Sequence, residues 1–152
     1  MERDNISIEE LSFPIVSFGN ENNSIYFSRK IDDLTICSSV SFNKGYYNGL
    51  TLIDSKGINA VVQNAVKVDT IGPLWGFSLL KGQKLKIHLE LNKLKDITPL
   101  NELKDKIIKI FNNDEYFWNS DGELKDKIEF INKARSHHEI IDFLTKIFYK
   151  KN

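Results

Sequence analysis

Between Lys84 and Leu91 the chain alternates without a break: Leu85, Ile87, Leu89 and Leu91 fall on one side, Lys84, Lys86, His88 and Glu90 on the other. A period of two marks a strand with one buried and one wet face. That pattern belongs to antiparallel sheets, because strands of parallel sheets are covered on both faces and read as unbroken apolar runs. Upstream, residues 46–53 and 58–68 flank the tetrad Asp54-Ser-Lys-Gly57, whose glycine supplies the positive φ of a tight turn, so the pair reads as a hairpin. Residues 13–18, 24–28 and 34–40 are further short β-rich runs, separated by connector compositions at 19–23 and 29–33. Residues 71–77 are apolar but punctuated by Gly72-Pro73 and Gly76, which fits a bend or an edge segment. The spacing of these runs predicts a meander.

The grammar changes after Asp96. Thr98 is placed to cap a helix beginning at Pro99, with Leu100, Leu103, Ile107, Ile110 and Phe111 at helical spacing. Ser120-Asp-Gly-Glu123 and Ser136-His-His-Glu139 have the form of capping boxes. They open two more helices, with Leu124, Ile128 and Ile131 on one inward stripe and Ile140, Ile141, Leu144, Ile147 and Phe148 on the other. Strands first and amphipathic helices afterwards predict an α+β fold. An antiparallel sheet of about five to seven strands fills the first two thirds (about 1–95), and three C-terminal α-helices (about 98–150) pack on one face or end of it.

Composition adds limits rather than detail. A chain of 152 residues buries roughly 68–70% of its unfolded surface, enough for a core without metal or disulfide, and residues 1–152 read as a single α+β domain. With 41% hydrophobic and 28% charged residues, usage is globular rather than disordered. The charged start, residues 1–5, lacks the apolar stretch of a secretory signal, no run approaches a membrane span, and the single Cys37 has no disulfide partner. A cytoplasmic protein is expected, with Cys37 as a small buried hydrophobe. Twenty-one basic and twenty-one acidic side chains cancel, so no overall field draws the protein to nucleic acid or to a membrane. The balance is uneven, residues 1–34 carrying −4 and residues 35–95 carrying +5, but Glu90 interrupts the basic strand face of Lys84 and Lys86.

No arrangement of catalytic residues stands out. His137 and His138 diverge by about 100° on a helix and cannot grip one ion as an i,i+4 pair does, and Glu139 is the capping partner of Ser136. Neither metal nor cofactor is expected. His88 lies on the wet strand face, and the phosphate-loop and nucleophile-elbow motifs are absent. Glu9-Glu10 and Asp32-Asp33 read as solvated connectors.

The aromatic residues carry the remaining signal. On a strand, Tyr46 and Tyr47 would take opposite faces, leaving one outside the core. Trp75 sits in the Gly/Pro-punctuated segment. The connector at 114–121 sets Tyr116, Phe117 and Trp118 in a row beside Asp114 and Glu115, and three neighbouring rings cannot all turn inward. Rings packed beneath the connector would seal the helix pair. An exposed Tyr116 or Trp118 would instead anchor a protein partner. The expectation is a non-catalytic protein-binding domain, of the kind that neutralises a toxin or enzyme by direct binding, as immunity proteins and inhibitors do. Its expected contact residues are Tyr116, Trp118, Asp114, Glu115, Tyr47 and Trp75. The alternative is a small-molecule-binding protein or hydrolase, with a pocket where sheet meets helices using His88, Tyr46 or Trp75.

Overall fold

The computed structural model describes residues 4–19, 24–71, 77–78, 82–119 and 123–150, with the backbone alone at 77, 78 and 82. Its spine is the long strand β8 (Gly82–Lys95), in which Leu85, Ile87, Leu89 and Leu91 are buried and the intervening charged side chains are exposed. One edge of β8 pairs with β6 (Asn59–Thr70); the other takes β1 (Asn5–Ile6) at Leu91 and Asn92, and β4 (Ile36–Ser38) at Lys84 to Lys86. Beyond β6 lie β5 (Thr51–Ile53), β2 (Ile15–Phe18) and β3 (Ile25–Ser28), giving the order β1-β8-β6-β5-β2-β3. All of these pairings are antiparallel, and the two-residue β7 (Phe77–Ser78) pairs with the start of β8.

This order is not the expected meander. After β1 the chain crosses one face of the sheet before entering it again as β2, on the far side of β5. A 3-10 turn at Ile8–Glu10, capped by Ser7, makes the crossing, and its Ile8 and Leu11 are buried against that face. The sheet is therefore covered twice. Ile8, Leu11, Leu34 and Leu50 pack on Ile15, Leu52, Ala60, Val62 and the β8 leucines. On the opposite face, Val16, Phe18, Ile25, Phe27 and Ile53 meet the helices. Strand β2 lies between the two layers and is buried at all four positions.

Two predicted strands are shorter than expected, and local side-chain hydrogen bonds explain the first. Residues 34–40 are strand only at β4, between α1 (Ile31–Thr35) and α2 (Ser39–Asn43). Asp33 accepts the Arg29 and Lys30 N–H groups at 2.8 and 3.3 Å, and Ser38 accepts the Ser41 N–H at 3.1 Å. Such bonds offer the backbone a helical turn in place of a ladder. Residues 46–53 are strand only from Thr51, because Gly45 and Gly49 at φ 71° and 81° fold 44–49 into turns. Tyr46 and Tyr47 thus stand on a turn and not on opposite faces of a strand.

Among the described residues the three expected helices follow Asp96 as α3 (Leu100–Asn113), α5 (Leu124–Lys133) and α6 (His137–Lys150), with an added single turn, α4 (Glu115–Trp118), between the first two. The inward residues of α3, α5 and α6 bury as their spacing requires. Their caps differ in detail. Pro99 takes the N-cap position of α3, and the buried Thr98 hydroxyl caps nothing. Ser120 lies outside the described residues, and Asn119 accepts the Leu124 N–H at 2.8 Å. Ser136 does cap α6, accepting the Glu139 N–H at 3.1 Å, while Glu139 accepts from Arg135.

Thr98 has another task. Its N–H donates to the Gly57 carbonyl at 2.7 Å and its carbonyl accepts His137 Nε2–H at 2.6 Å, tying the hairpin turn to the starts of α3 and α6. Gly57 has φ 91°, and a Cβ there would sit 2.9 Å from the His137 ring. Gly57→Ala is expected to cost about 1–2 kcal/mol through the left-handed backbone alone, with ring displacement added. Thermal melts should show the loss; a variant melting with the parent would mean that this junction yields freely.

Candidate functional site

The connector between α3 and α5 is built on one helical turn. Asp114 ends α3 and starts α4, its Oδ1 accepting the Phe117 N–H at 3.3 Å. Consecutive residues on such a turn point about 100° apart, so three neighbouring rings must separate. Trp118 turns inward and lies on the buried Phe111, with ring centroids 4.3 Å apart. Phe117 meets Trp118 edge-on at 5.0 Å and is 50% exposed. Tyr116 points away from the protein and is 94% exposed. Glu115 is exposed beside it.

Lys127 of α5 holds this turn from below. Its ammonium donates to the Trp118 carbonyl, at the C-terminal end of α4, and the residue is only 5% exposed. Burial pushes its pKa below the usual lysine value. The sequence carried this signal: 124, 127, 128 and 131 make one i, i+3, i+4, i+7 stripe, so Lys127 sits on the apolar face of α5.

Of the other expected contact residues, Tyr47 does not join the connector. It is half-buried and packs against the core on the other side of the sheet. Its hydroxyl bonds Cys37, and burial raises the pKa of both groups. Cys37 is half-buried rather than buried, and a thiol so shifted is not an activated nucleophile. Trp75 lies outside the described residues.

Tyr46 and Tyr47 line a cleft of about 460 Å³ where the sheet meets α1, α2 and the end of α6. Ser17 and Ser28 contribute to its walls, as do Tyr26 and Tyr149. Ser17 is 1% exposed and its hydroxyl has no hydrogen-bond partner. Tyr149 donates to the Phe27 carbonyl at 3.0 Å, and the Arg29 guanidinium stacks 3.7 Å from its ring centre. His88 is elsewhere, exposed in a shallow polar depression with Asn5, Gln63, Glu90 and Asn92. His137 is engaged with Thr98, and His138 is exposed. Among the described residues no three His, Cys, Asp or Glu side chains converge as a metal ion requires, and no helix is long and apolar enough to cross a membrane.

Comparison with protein-family models, with curated proteins and with solved structures finds no match to this chain. What the protein does must be read from its own surface.

Proposed function

We propose that this is a non-catalytic protein-binding domain that engages its partner through the connector at 114–118. The observation behind this reading is Tyr116, a large amphipathic ring 94% exposed on a turn whose Trp118 packs on the core. An exposed phenol on a fixed support loses little conformational freedom on binding and brings both apolar area and a polar tip, the qualities of an interface anchor. Phe117 widens the apolar patch, and Asp114 and Glu115 give it an acidic border. The complementary partner has a pocket for a phenol and a basic rim. Inhibition of a toxin or enzyme whose working cleft is basic fits that description, which is the immunity-protein form of the proposal.

Tyr116→Ala is the test. Cross-linking and affinity capture from the source cell should enrich a partner at near-equal stoichiometry with the parent chain. The variant should bind that partner at least about 2 kcal/mol more weakly, with an unchanged melting temperature, because the ring covers nothing in the free protein. Capture that is indifferent to Tyr116 would remove the connector from the interface.

A second reading, a small-molecule-binding protein, is favoured by one observation. The cleft at Tyr46 falls in the range of ~300–1,000 Å³ typical of ligand sites, and an unpartnered buried hydroxyl lies in its wall.

A further inference from the structure

Beneath the connector lies a second cavity, apolar and partly enclosed, of about 250 Å³. Phe111, Trp118, Leu144 and Phe148 form much of its wall, and among the described residues Lys127 is the one charged side chain lining it. The volume is below the ~300–1,000 Å³ of pockets that take drug-sized molecules, so the space suits a single ring or a short branched chain.

Lys127 supplies the chemistry. An ammonium has three N–H donors, and the Trp118 carbonyl takes one. Among the described residues no carboxylate lies within ion-pair distance of it, although the residue is nineteen-twentieths buried. A cation with no counter-ion among the described residues is costly to bury, and an anion entering the cavity would relieve that cost. The apolar walls limit which anion. A phosphate or sulfate would leave most of its oxygens facing hydrocarbon, whereas a carboxylate needs few donors and carries its own apolar body.

We propose that this cavity binds a small apolar carboxylate, with Lys127 holding the carboxylate and Phe111, Trp118 and Leu144 enclosing the hydrocarbon. The site does not depend on the partner-binding reading, since the isolated chain contains all of it. A Lys127 that serves only to cap α4 would show no preference for an anion.

The test titrates the full chain with sodium phenylacetate, following binding by calorimetry and by the indole N–H resonance of Trp118 on the cavity wall. Saturable millimolar binding is expected, the range open to a ligand of so few atoms. Phenylacetamide, which keeps the ring but not the charge, should bind at least about tenfold more weakly, and so should acetate, which keeps the charge but not the ring. Lys127→Met, which retains the apolar stem, should bind phenylacetate and phenylacetamide alike. Failure of phenylacetate to saturate, equal binding of acid and amide by the parent, or an acid preference retained in Lys127→Met would each overturn the proposal. Should Lys127→Met not fold, the acid-to-amide comparison on the parent decides alone.

Discussion

Asp54→Ala is expected to destabilise the fold by about 3–5 kcal/mol, since buried donors left unsatisfied cost ~1–3 kcal/mol each. Asp54 is fully buried, and its carboxylate accepts three backbone N–H groups: Ser12 at 2.9 Å on Oδ2, and Lys56 and Ile58 at 2.9 and 2.8 Å on Oδ1. The Lys56 and Ile58 bonds shape the β5–β6 turn, while the Ser12 bond fastens that turn to the segment entering β2, 42 residues earlier in the chain. Ser55 reinforces the junction through its N–H to Ser12 O at 3.0 Å and its hydroxyl to Pro14 O at 2.6 Å. Asp54→Asn should fall between parent and Ala, because one oxygen still serves the turn while the amide NH2 confronts the Ser12 N–H. Urea denaturation with unchanged m-values provides the measurement. If Asp54→Ala kept the parent's midpoint, the turn and the N-terminal segment would be held by backbone contacts alone.

The same residue shows what the sequence revealed and what it hid. Asp54 was legible as a turn former, because Asp before Ser-Lys-Gly is local chemistry, but its bond to Ser12 is not local and left no trace in the pattern. The strand β8 and the stripes of α3, α5 and α6 were legible for a related reason. Each buries one face over many residues, so periodicity accumulates. Residues 34–40 and 46–50 were not, since β-rich composition there is overruled by Asp33, Ser38 and two left-handed glycines acting over a turn each. Strand order was hidden because β1 is two residues long and the crossing to β2 is fixed by Ile8 and Leu11 meeting a surface assembled from β5, β6 and β8. At the connector, the crowding of three rings could be read in advance. Which ring turned outward depended on where Phe111 and α6 stood.

Trp118→Ala is the second large effect, and paired with Tyr116→Ala it separates support from contact. Trp118 packs on Phe111, stands on the wall of the cavity shared with Leu144 and Phe148, and presents the carbonyl that receives the Lys127 ammonium. Removing its ring should cost about 3 kcal/mol of folding stability, the lower end of the range for Trp→Ala because the ring is only partly buried. The 250 Å³ cavity would enlarge, α4 would lose its anchor on α3, and a partner complex would weaken through disorder of the turn. Tyr116→Ala, two residues earlier, should leave the melt unchanged and weaken only the complex. Thermal and urea melts of the two variants, run beside binding measurements on each, should therefore show affinity lost in both and stability lost only in Trp118→Ala. If both variants were equally destabilised, Tyr116 would have a structural task in the folded chain that its 94% exposure does not predict. If neither were, the connector would be held by α5 through Lys127 rather than by the stacking of Trp118 on Phe111.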